Sequence, residues 1–585
     1  MPPAHLLETP ARRPSGPSVA RPDSLTAFST PLYVVTSEES RALDRAAMEI
    51  FGLPGLALME TAARSVLAHL LDFWPMLRRG VANVLVLCGP GQNGGDGFVL
   101  ARLLDGLGHK VECRLLCQPG QKPRGDAAVN LAVALRLGLH VVVVDSDDIP
   151  PPESGDVDLI IDAVFGTGLA RPLEGQVLRT FRHLKSCKTF AKVAAVDLPS
   201  GLSADDGTAS PYLLPADLTV TLGAYKRGLF LRDGPAVCGQ ARLGDIGLHP
   251  AMAEKVRPSG RLIDARAAAA LTPDRPEFGH KGLFGRAWLV GGARGKTGAL
   301  VLAALGAQRA GCGLVTAAHP ASLSNVVSAQ LVSAMTAPLP EEADGRLGLA
   351  AAEALAARLG AGGALGLGPG LGLGPAETAL TEKLAVELEG PVVLDADALT
   401  ALAGRLEILQ KARGPRVLTP HSGEAGRLLG RSAADVEADR PGAALELARR
   451  SGAVTVLKGR RTITVCPESL TLHFNDSGGQ HLAVGGSGDL LTGLIVGLTA
   501  QRLKPLPAAI LGVHVHGLAG DLAAERLGAF GLIPEQIAEF VPEVWRRLTT
   551  LRDEDALAKA LEEAAQRRRL KAAAAGAWGW PASEA

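Results

Sequence analysis

The sequence predicts an α/β protein built as two tandem three-layer αβα domains. Two observations carry this reading. Short apolar runs such as 81–88, 192–196 and 392–394 alternate with longer stretches of helical spacing, the signature of parallel sheets covered on both faces. Nearly every run then ends in a cluster of Gly with Asp, Ser, Lys or His, and open α/β sheets bind ligands outside the carboxyl ends of their strands. A chain of 585 residues, 47% hydrophobic, is also too long for one core.

Composition excludes several functions. Sixty basic residues balance 60 acidic ones, which argues against a nucleic-acid face. No apolar run reaches membrane-spanning length without Gly or charge, and the start lacks the apolar core of a signal peptide. Seven scattered cysteines form no C-x-x-C pair, so reduced thiols in a cytoplasmic protein are expected.

Residues 1–30, rich in Pro, Ser and Arg, read as a disordered extension; the first domain is set at 31–255. Thr36 and Glu39 form a capping box for a first helix, and residues 56–71 form a second. The strand 81–88 runs into Gly89-Pro-Gly91-Gln92-Asn93-Gly94-Gly95-Asp96-Gly97, a loop expected before a helix from Phe98. Gly89, Gly91 and Gly94 fit a dinucleotide fingerprint, but no acid follows at the ribose position, so a nucleotide-like ligand bound in another manner is expected. Later strand ends offer Asp162 before Phe165-Gly166-Thr167-Gly168, Asp197 before Ser200, and Lys226. Each alone is readily a cap or an Asx-turn; Asp96, Asp162, Asp197 and Ser200 at successive strand ends point to one crevice.

Residues 251–270 read as a linker and lead-in helix across the boundary to a second domain set at 256–552, which a helical or frayed tail, 553–585, follows. The turn 291–299 fails the P-loop spacing. Its strand ends include 365–372, Asp395-Ala-Asp397, His421-Ser-Gly423-Glu424 and Lys458-Gly459. The stretch 481–500 closes the set: Gly485-Gly486-Ser487-Gly488 opens an apolar helix with Asp489 at the join. A helix N-terminus attracts anions, and glycines let the backbone approach a phosphate. Asp489 is either a cap or a base beside a transferring phosphoryl group; the dipole is expected to keep it ionised. His514 and His516 lack carboxylate neighbours in sequence and read as structural rather than metal-binding.

QNGGDG, DAVFGTGLARP and DLPSG, after an LMETA helix, resemble the NAD(P)H-hydrate (NAD(P)HX) epimerase domain, Rossmann-like, over about residues 31–250. The resemblance implies that Gln92, Asn93, Gly94, Gly95, Asp96, Gly166, Thr167, Gly168, Leu169, Ala170, Arg171, Pro172 and Asp197 hold substrate, with Asp96 and Asp197 catalytic. It also implies a potassium ion on Asn93, Asp162 and Ser200. Gln92 replaces the usual Asn, and Ala63 the usual Gly. The second half resembles the ribokinase-like NAD(P)HX dehydratase over about 261–545. There the resemblance implies substrate contacts from Ala299, Gly370, Gly372, His421 and Asp489, the last catalytic. Adenine nucleotide falls to Lys458, Gly459, Arg460, Arg461, Thr462 and Gly488. Ser422 replaces the usual Pro.

The expected activity is repair of hydrated NADH and NADPH by a lyase and an isomerase in one chain. The donor is ADP or ATP, with ADP implied because such fusions resemble prokaryotic enzymes; an accompanying Mg2+ stays open, and a homo-oligomer is implied. The alternatives are a kinase for a vitamin-like alcohol, since this fold serves many acceptors, and a first domain that only binds nucleotide.

Overall fold

The computed structural model describes residues 31–145, 157–168, 172–186, 191–359 and 363–576. The 1–30 extension, Leu169 to Arg171 and the end of the tail lie outside the described residues.

The first domain is organised by a seven-stranded parallel sheet. Its order is His140–Val144, Lys110–Leu116, Asn83–Cys88, Leu159–Ala163, Lys192–Val196, Leu218–Leu222, Gln240–Gly244. The chain moves outward from Asn83–Cys88 in one direction, then restarts at Leu159–Ala163 on the other side. That reversal opens a crevice between the two strand ends, where doubly wound sheets take ligands. The expected loop after Asn83–Cys88 is shorter than anticipated. The helix starts at Gln92 and runs to Gly106, with Gly91 as its extended N-cap, so Asn93 to Asp96 form its first turn. Asn93 to Gly97 are all buried there, which only a run of small residues against the sheet permits.

Thr36 and Glu39 make both bonds of the capping box, Glu39 N–H to Thr36 Oγ1 at 3.1 Å and Thr36 N–H to Glu39 Oε2 at 2.8 Å.

A twelve-stranded sheet organises the second domain. Seven parallel strands come first: Met335–Leu339, Leu314–Pro320, Arg286–Val290, Gly363–Leu367, Val392–Leu394, Arg416–Leu418 and Val454–Leu457. An antiparallel pair, Ile463–Val465 and Leu472–Asn475, follows. Gly260–Ile263 then pairs with Leu472–Asn475, so the expected linker carries a strand between the helices Pro250–Val256 and Ala265–Ala269. Tyr33–Val35 and Tyr225–Lys226, both from the first domain's segment, complete the same sheet. The two halves of the chain are thus joined by main-chain hydrogen bonds.

The helix Ser487–Ala500 sits in the core of this domain, its large side chains Leu490, Leu491, Leu494, Ile495, Val496 and Leu498 all buried. Burial contributes about 1.5–3 kcal/mol for each such side chain and fixes the turn that precedes them. Gly493 meets the backbone of the helix Thr297–Arg309 at Ala303, and Gly306 of that helix meets Leu490, so the two helices touch without side chains between. The helix Pro505–Leu527 has the length and hydropathy to cross a membrane, but 78% of its most apolar window is buried inside the protein. The last helix runs from Pro534 to Gly576, so the tail continues the fold's final helix.

Candidate active sites

The first cavity, about 540 Å³, lies at the strand reversal of the seven-stranded sheet. Gln92, Asn93 and Asp96 reach it from the first turn of their helix, Gly166, Thr167 and Gly168 from the loop opposite, and Asp197 from the next strand end. Gly94 and Gly95 lie on the buried side of that turn, Gly94 against the Gly89 backbone and Gly95 against Met59. Pro172 is exposed and outside the lining.

Sequence reasoning missed the lining residue Asp44, and it named Lys226 only as a strand-end residue without its partner. Lys226, only 1% exposed, forms an ion pair with Asp197 and donates to the Leu222 carbonyl at 2.7 Å. Asp197 sits in the left-handed region at φ 67°, a conformation that a short polar side chain tolerates and that the site imposes. Its carboxylate also accepts from the N–H groups of Thr167 and Leu222 at 3.3 and 3.2 Å. Asp96 is fully enclosed. Burial, then the negative charges of Asp197 and Asp44, push its pKa well above the ordinary carboxylate range, against the pull of Lys226. Two acids that line one cavity are thereby differentiated, one with its pKa pushed up by burial and one paired with a cation.

Behind this cavity, Asp162 accepts from the Ser200 hydroxyl at 2.6 Å and the Ser200 N–H at 2.7 Å. Asn93 donates to the Val196 carbonyl at 3.2 Å. Burial raises Asp162 to about 6 despite these bonds, and among the described residues no basic side chain is paired with it. Oxygen donors around an uncompensated buried carboxylate fit a hard cation.

The second cavity, about 740 Å³, is lined by Lys458 to Thr462, His421, Glu424, Asp395, Ala396 and the turn Gly486 to Asp489. Gly486, at φ 88°, is the N-cap. A side chain on Gly488 would stand 3.2 Å from the Lys458 ammonium, so glycine keeps that approach open. Asp489 is the third residue of the helix and not its cap, and its carboxylate makes no hydrogen bond among the described residues. Nor does its carboxyl titrate low, as the helix dipole alone would have it. Burial, then the charge of Asp395, raises it to about 7, with Lys458 opposing and Asp397 and Glu424 adding to the rise. Desolvation and the repulsion of Asp395, Asp397 and Glu424 together outweigh the dipole and the attraction of Lys458.

Lys458 donates to Asp395 Oδ1 at 2.8 Å and lies 3.9 Å from Glu424. Burial pulls its pKa down, but Asp395, Glu424 and Asp489 more than offset that and the net shift is upward. Thr419 and Thr492 hold the remaining lone pairs of Asp395 at 2.8 and 2.7 Å. His421 is both a lining residue and the cap of the helix Ser422–Leu429, accepting from the Gly423 N–H at 3.0 Å. His516 bonds the Ser487 hydroxyl at 3.0 Å, a structural role beside the turn.

Ala299, Gly370 and Gly372 lie outside this lining. They form a neighbouring cluster: a Cβ on Gly370 would stand 3.2 Å from that of Ala299. Asp397 ties the cluster together, accepting from the Gly372 N–H at 2.9 Å and from Lys296 at 3.0 Å. The turn Asp395 to Asp397 connects it to the cavity, through Ala396 at φ 50°.

A doubly wound domain with a cavity lined by several aspartates, joined to a second α/β domain with a glycine-rich turn at a helix N-terminus and a half-buried lysine beside it, defines a class: a two-site enzyme for nucleotide-like ligands. A family model described as NAD(P)H-hydrate dehydratase matches residues 287–543, and one described as YjeF-related protein N-terminus matches 55–228. The bifunctional NAD(P)H-hydrate repair enzyme Nnr of Moorella thermoacetica is 38% identical over 524 residues, 88% of this chain and 97% of that one. Its counterpart from Escherichia coli is 34% identical over 511 residues, covering 86% and 92%. The solved ADP/ATP-dependent NAD(P)H-hydrate dehydratase from Bacillus subtilis, co-crystallized with ATP/Mg2+, is 30% identical, with a TM-score of 0.43 over 49% of this chain and 97% of that chain. The chain belongs to the family of bifunctional NAD(P)H-hydrate repair enzymes. Membership does not favour the alternative of a kinase for a vitamin-like alcohol.

Proposed function

We propose that residues 31–255 interconvert the two C6 epimers of hydrated NADH or NADPH, and that residues 256–552 dehydrate the S epimer with an adenine nucleotide as phosphoryl donor. The observation that carries the reading is the second cavity: a carboxylate poised near pH 7, a glycine turn at a helix N-terminus, and a half-buried lysine, in one space of about 740 Å³.

Hydroxide is a poor leaving group. Asp489 takes the proton of the C6 hydroxyl as its oxygen attacks the terminal phosphorus of the nucleotide, and the phosphoanhydride bond breaks to release the shortened nucleotide, AMP from ADP. The N–H groups of the Gly486–Gly488 turn and the Lys458 ammonium stabilise the charge on the transferring group. Phosphate then leaves C6 with its bonding electron pair, C5 gives its proton to water, and the C5–H electron pair becomes the C5=C6 double bond of the dihydronicotinamide. Asp395 anchors Lys458 in this step. The donor is ADP on the resemblance of the tandem arrangement, and a homo-oligomer is expected on the same ground.

In the first cavity Asp96, protonated, and Asp197, paired with Lys226, serve as acid and base. A potassium ion on Asn93, Asp162 and Ser200 would supply the positive charge that the buried Asp162 carboxylate lacks. Asp162→Ala should therefore weaken substrate binding in epimer exchange and remove its potassium dependence, read by titrating potassium against a lithium background. Exchange that never depended on potassium would argue against the ion.

Lys458→Ala should raise the nucleotide KM by about 10-fold or more, the loss expected when a charge-assisted contact worth about 1.5–3 kcal/mol is removed. An unchanged KM would remove the Lys458–Thr462 loop from the nucleotide site. The overall test is incubation of hydrated NADH with ADP or ATP, followed by loss of the hydrate absorbance and return of NADH. Consumption of both epimers requires the two sites together.

A further inference from the structure

The segment that follows Lys226 in the first domain reaches the nucleotide loop of the second. Arg460 donates to the Pro235 carbonyl at 3.1 Å. The Arg461 guanidinium lies 6.0 Å from the centre of the Phe230 ring. Phe230 is 1% exposed and packs between Tyr225 and Phe474, with ring centres 5.6 and 5.9 Å apart. Phe474 precedes Asn475, whose N–H donates to the Thr462 carbonyl at 3.0 Å and which lines the second cavity. Arg461 is itself held at φ 59° and bonds the Asp476 carbonyl. On its other side the loop is fastened within its own domain, where Arg440 donates to the Lys458 and Leu457 carbonyls at 3.3 and 3.1 Å. Two consecutive arginines that line a phosphate-type cavity thus both touch the other domain, Arg460 through its head group and Arg461, whose head group the Asp476 carbonyl holds, through a ring face at the edge of cation–π range.

We propose that Phe230 and the Pro235 carbonyl are positioning elements of the dehydratase: the epimerase domain forms one wall of the nucleotide loop and holds Arg461 and Arg460 in the conformation that receives the nucleotide. The proposal rests on the reading of Lys458–Thr462 as the nucleotide loop. A free arginine surrenders considerable rotamer freedom each time it orders on a ligand. Phe230 and Pro235 impose that order in advance, and pre-organisation of this kind acts on binding. It leaves the chemistry at Asp489 alone. Tyr225 and Lys226 lie in the same short strand, so the segment that buttresses the nucleotide loop also carries the cation of the first site.

The test uses the full chain. Phe230→Leu should raise the nucleotide KM of dehydration by about 3–30-fold, the range of a partly desolvated cation–π contact, with kcat at saturating nucleotide within about twofold of wild type. Phe230→Tyr, which keeps the ring face, should restore the wild-type KM. In an Arg461→Lys background, Phe230→Leu should add little, because the ring acts through the guanidinium. Phe230→Met, which refills the volume without a π face, serves if the leucine variant does not fold. Unchanged KM in Phe230→Leu or Phe230→Met, a fall in kcat alone, or additive effects with Arg461→Lys would each overturn the proposal. Lys458→Ala separates the two levels. If it leaves KM unchanged, the nucleotide-loop assignment fails; if it raises KM while Phe230 variants do not, only the positioning role fails.

Discussion

Asp489→Asn should lower dehydration turnover by about 10²–10⁴-fold, the usual contribution of a positioned general base. The substitution keeps the size of the side chain and its place in the first helical turn. It removes only the charge and the ability to accept a proton. Because Asp489 neither caps the helix nor makes a hydrogen bond among the described residues, the fold gives no structural reason for such a loss. Wild-type dehydration should rise with pH through a limb near 7, where burial and Asp395 place this carboxyl, and the asparagine variant should lack that limb. Stability should move the other way. The folded pKa lies above the ordinary carboxylate value, so the stabilising contribution of the protonated form is full below that value and is lost as pH rises through about 7. Asparagine cannot ionise, so the variant should be at least as stable as wild type at pH 8. Nucleotide affinity should hold or tighten, because a negative charge near the phosphates is gone. Three measurements on one protein decide the matter: turnover against pH, thermal unfolding at pH 8, and nucleotide binding. Near wild-type turnover would return Asp489 to a structural role.

The strand ends were legible because their punctuation is local. Apolar runs closed by Asp-x-Pro-Ser-Gly or Lys-Gly announce both the strand and the polar residues at its mouth, and Asp197, Lys458 and Asp489 lie on the cavities where those motifs place them. The capping box at Thr36 was legible for the same reason. What stayed hidden depends on partners far away in sequence. Asp395 and Lys458 are 63 residues apart, and nothing in Asp-Ala-Asp says that its first carboxylate will fix a lysine while its second clamps Gly372. Lys226 meets Asp197 across 29 residues, by way of a two-residue strand too short to leave a periodic signal. Gly260–Ile263 reads as linker because four residues carry little pattern; its partner strand lies more than 200 residues later. The charge state of Asp489 failed for another reason. A helix N-terminus can be seen in sequence, but the carboxylates gathered opposite it cannot.

That shared sheet also changes what independence between the two activities means. Substitutions confined to one cavity should act on one activity. Substitutions along Tyr225 to Pro235 touch main-chain pairing, the first site's lysine and the nucleotide loop together, and should not.

Asp96→Asn should slow epimer exchange by about 10²–10⁴-fold while leaving dehydration of the S epimer unchanged. Asp96 is enclosed, and burial with Asp197 and Asp44 nearby holds it protonated well above the ordinary range. Asparagine reproduces the shape and neutrality of that protonated acid and still donates a hydrogen bond, so the folded structure should accept it. What it cannot do is release a proton and take one back, which inversion at a hydroxyl-bearing carbon requires. The sign of the linkage supplies an independent check. A carboxyl with a raised folded pKa stabilises the fold below its ordinary value and loses that contribution as pH rises, so the variant should gain stability over wild type in alkaline solution. The Asp197–Lys226 ion pair, left intact, guards against a collapse of the cavity. Exchange between separated R and S epimers, followed by chromatography with the dehydratase starved of nucleotide, isolates the first site. Exchange at the wild-type rate with asparagine in place would show that Asp96 positions substrate without moving a proton, and would leave the acid to be sought at Asp44, which shares the same cavity.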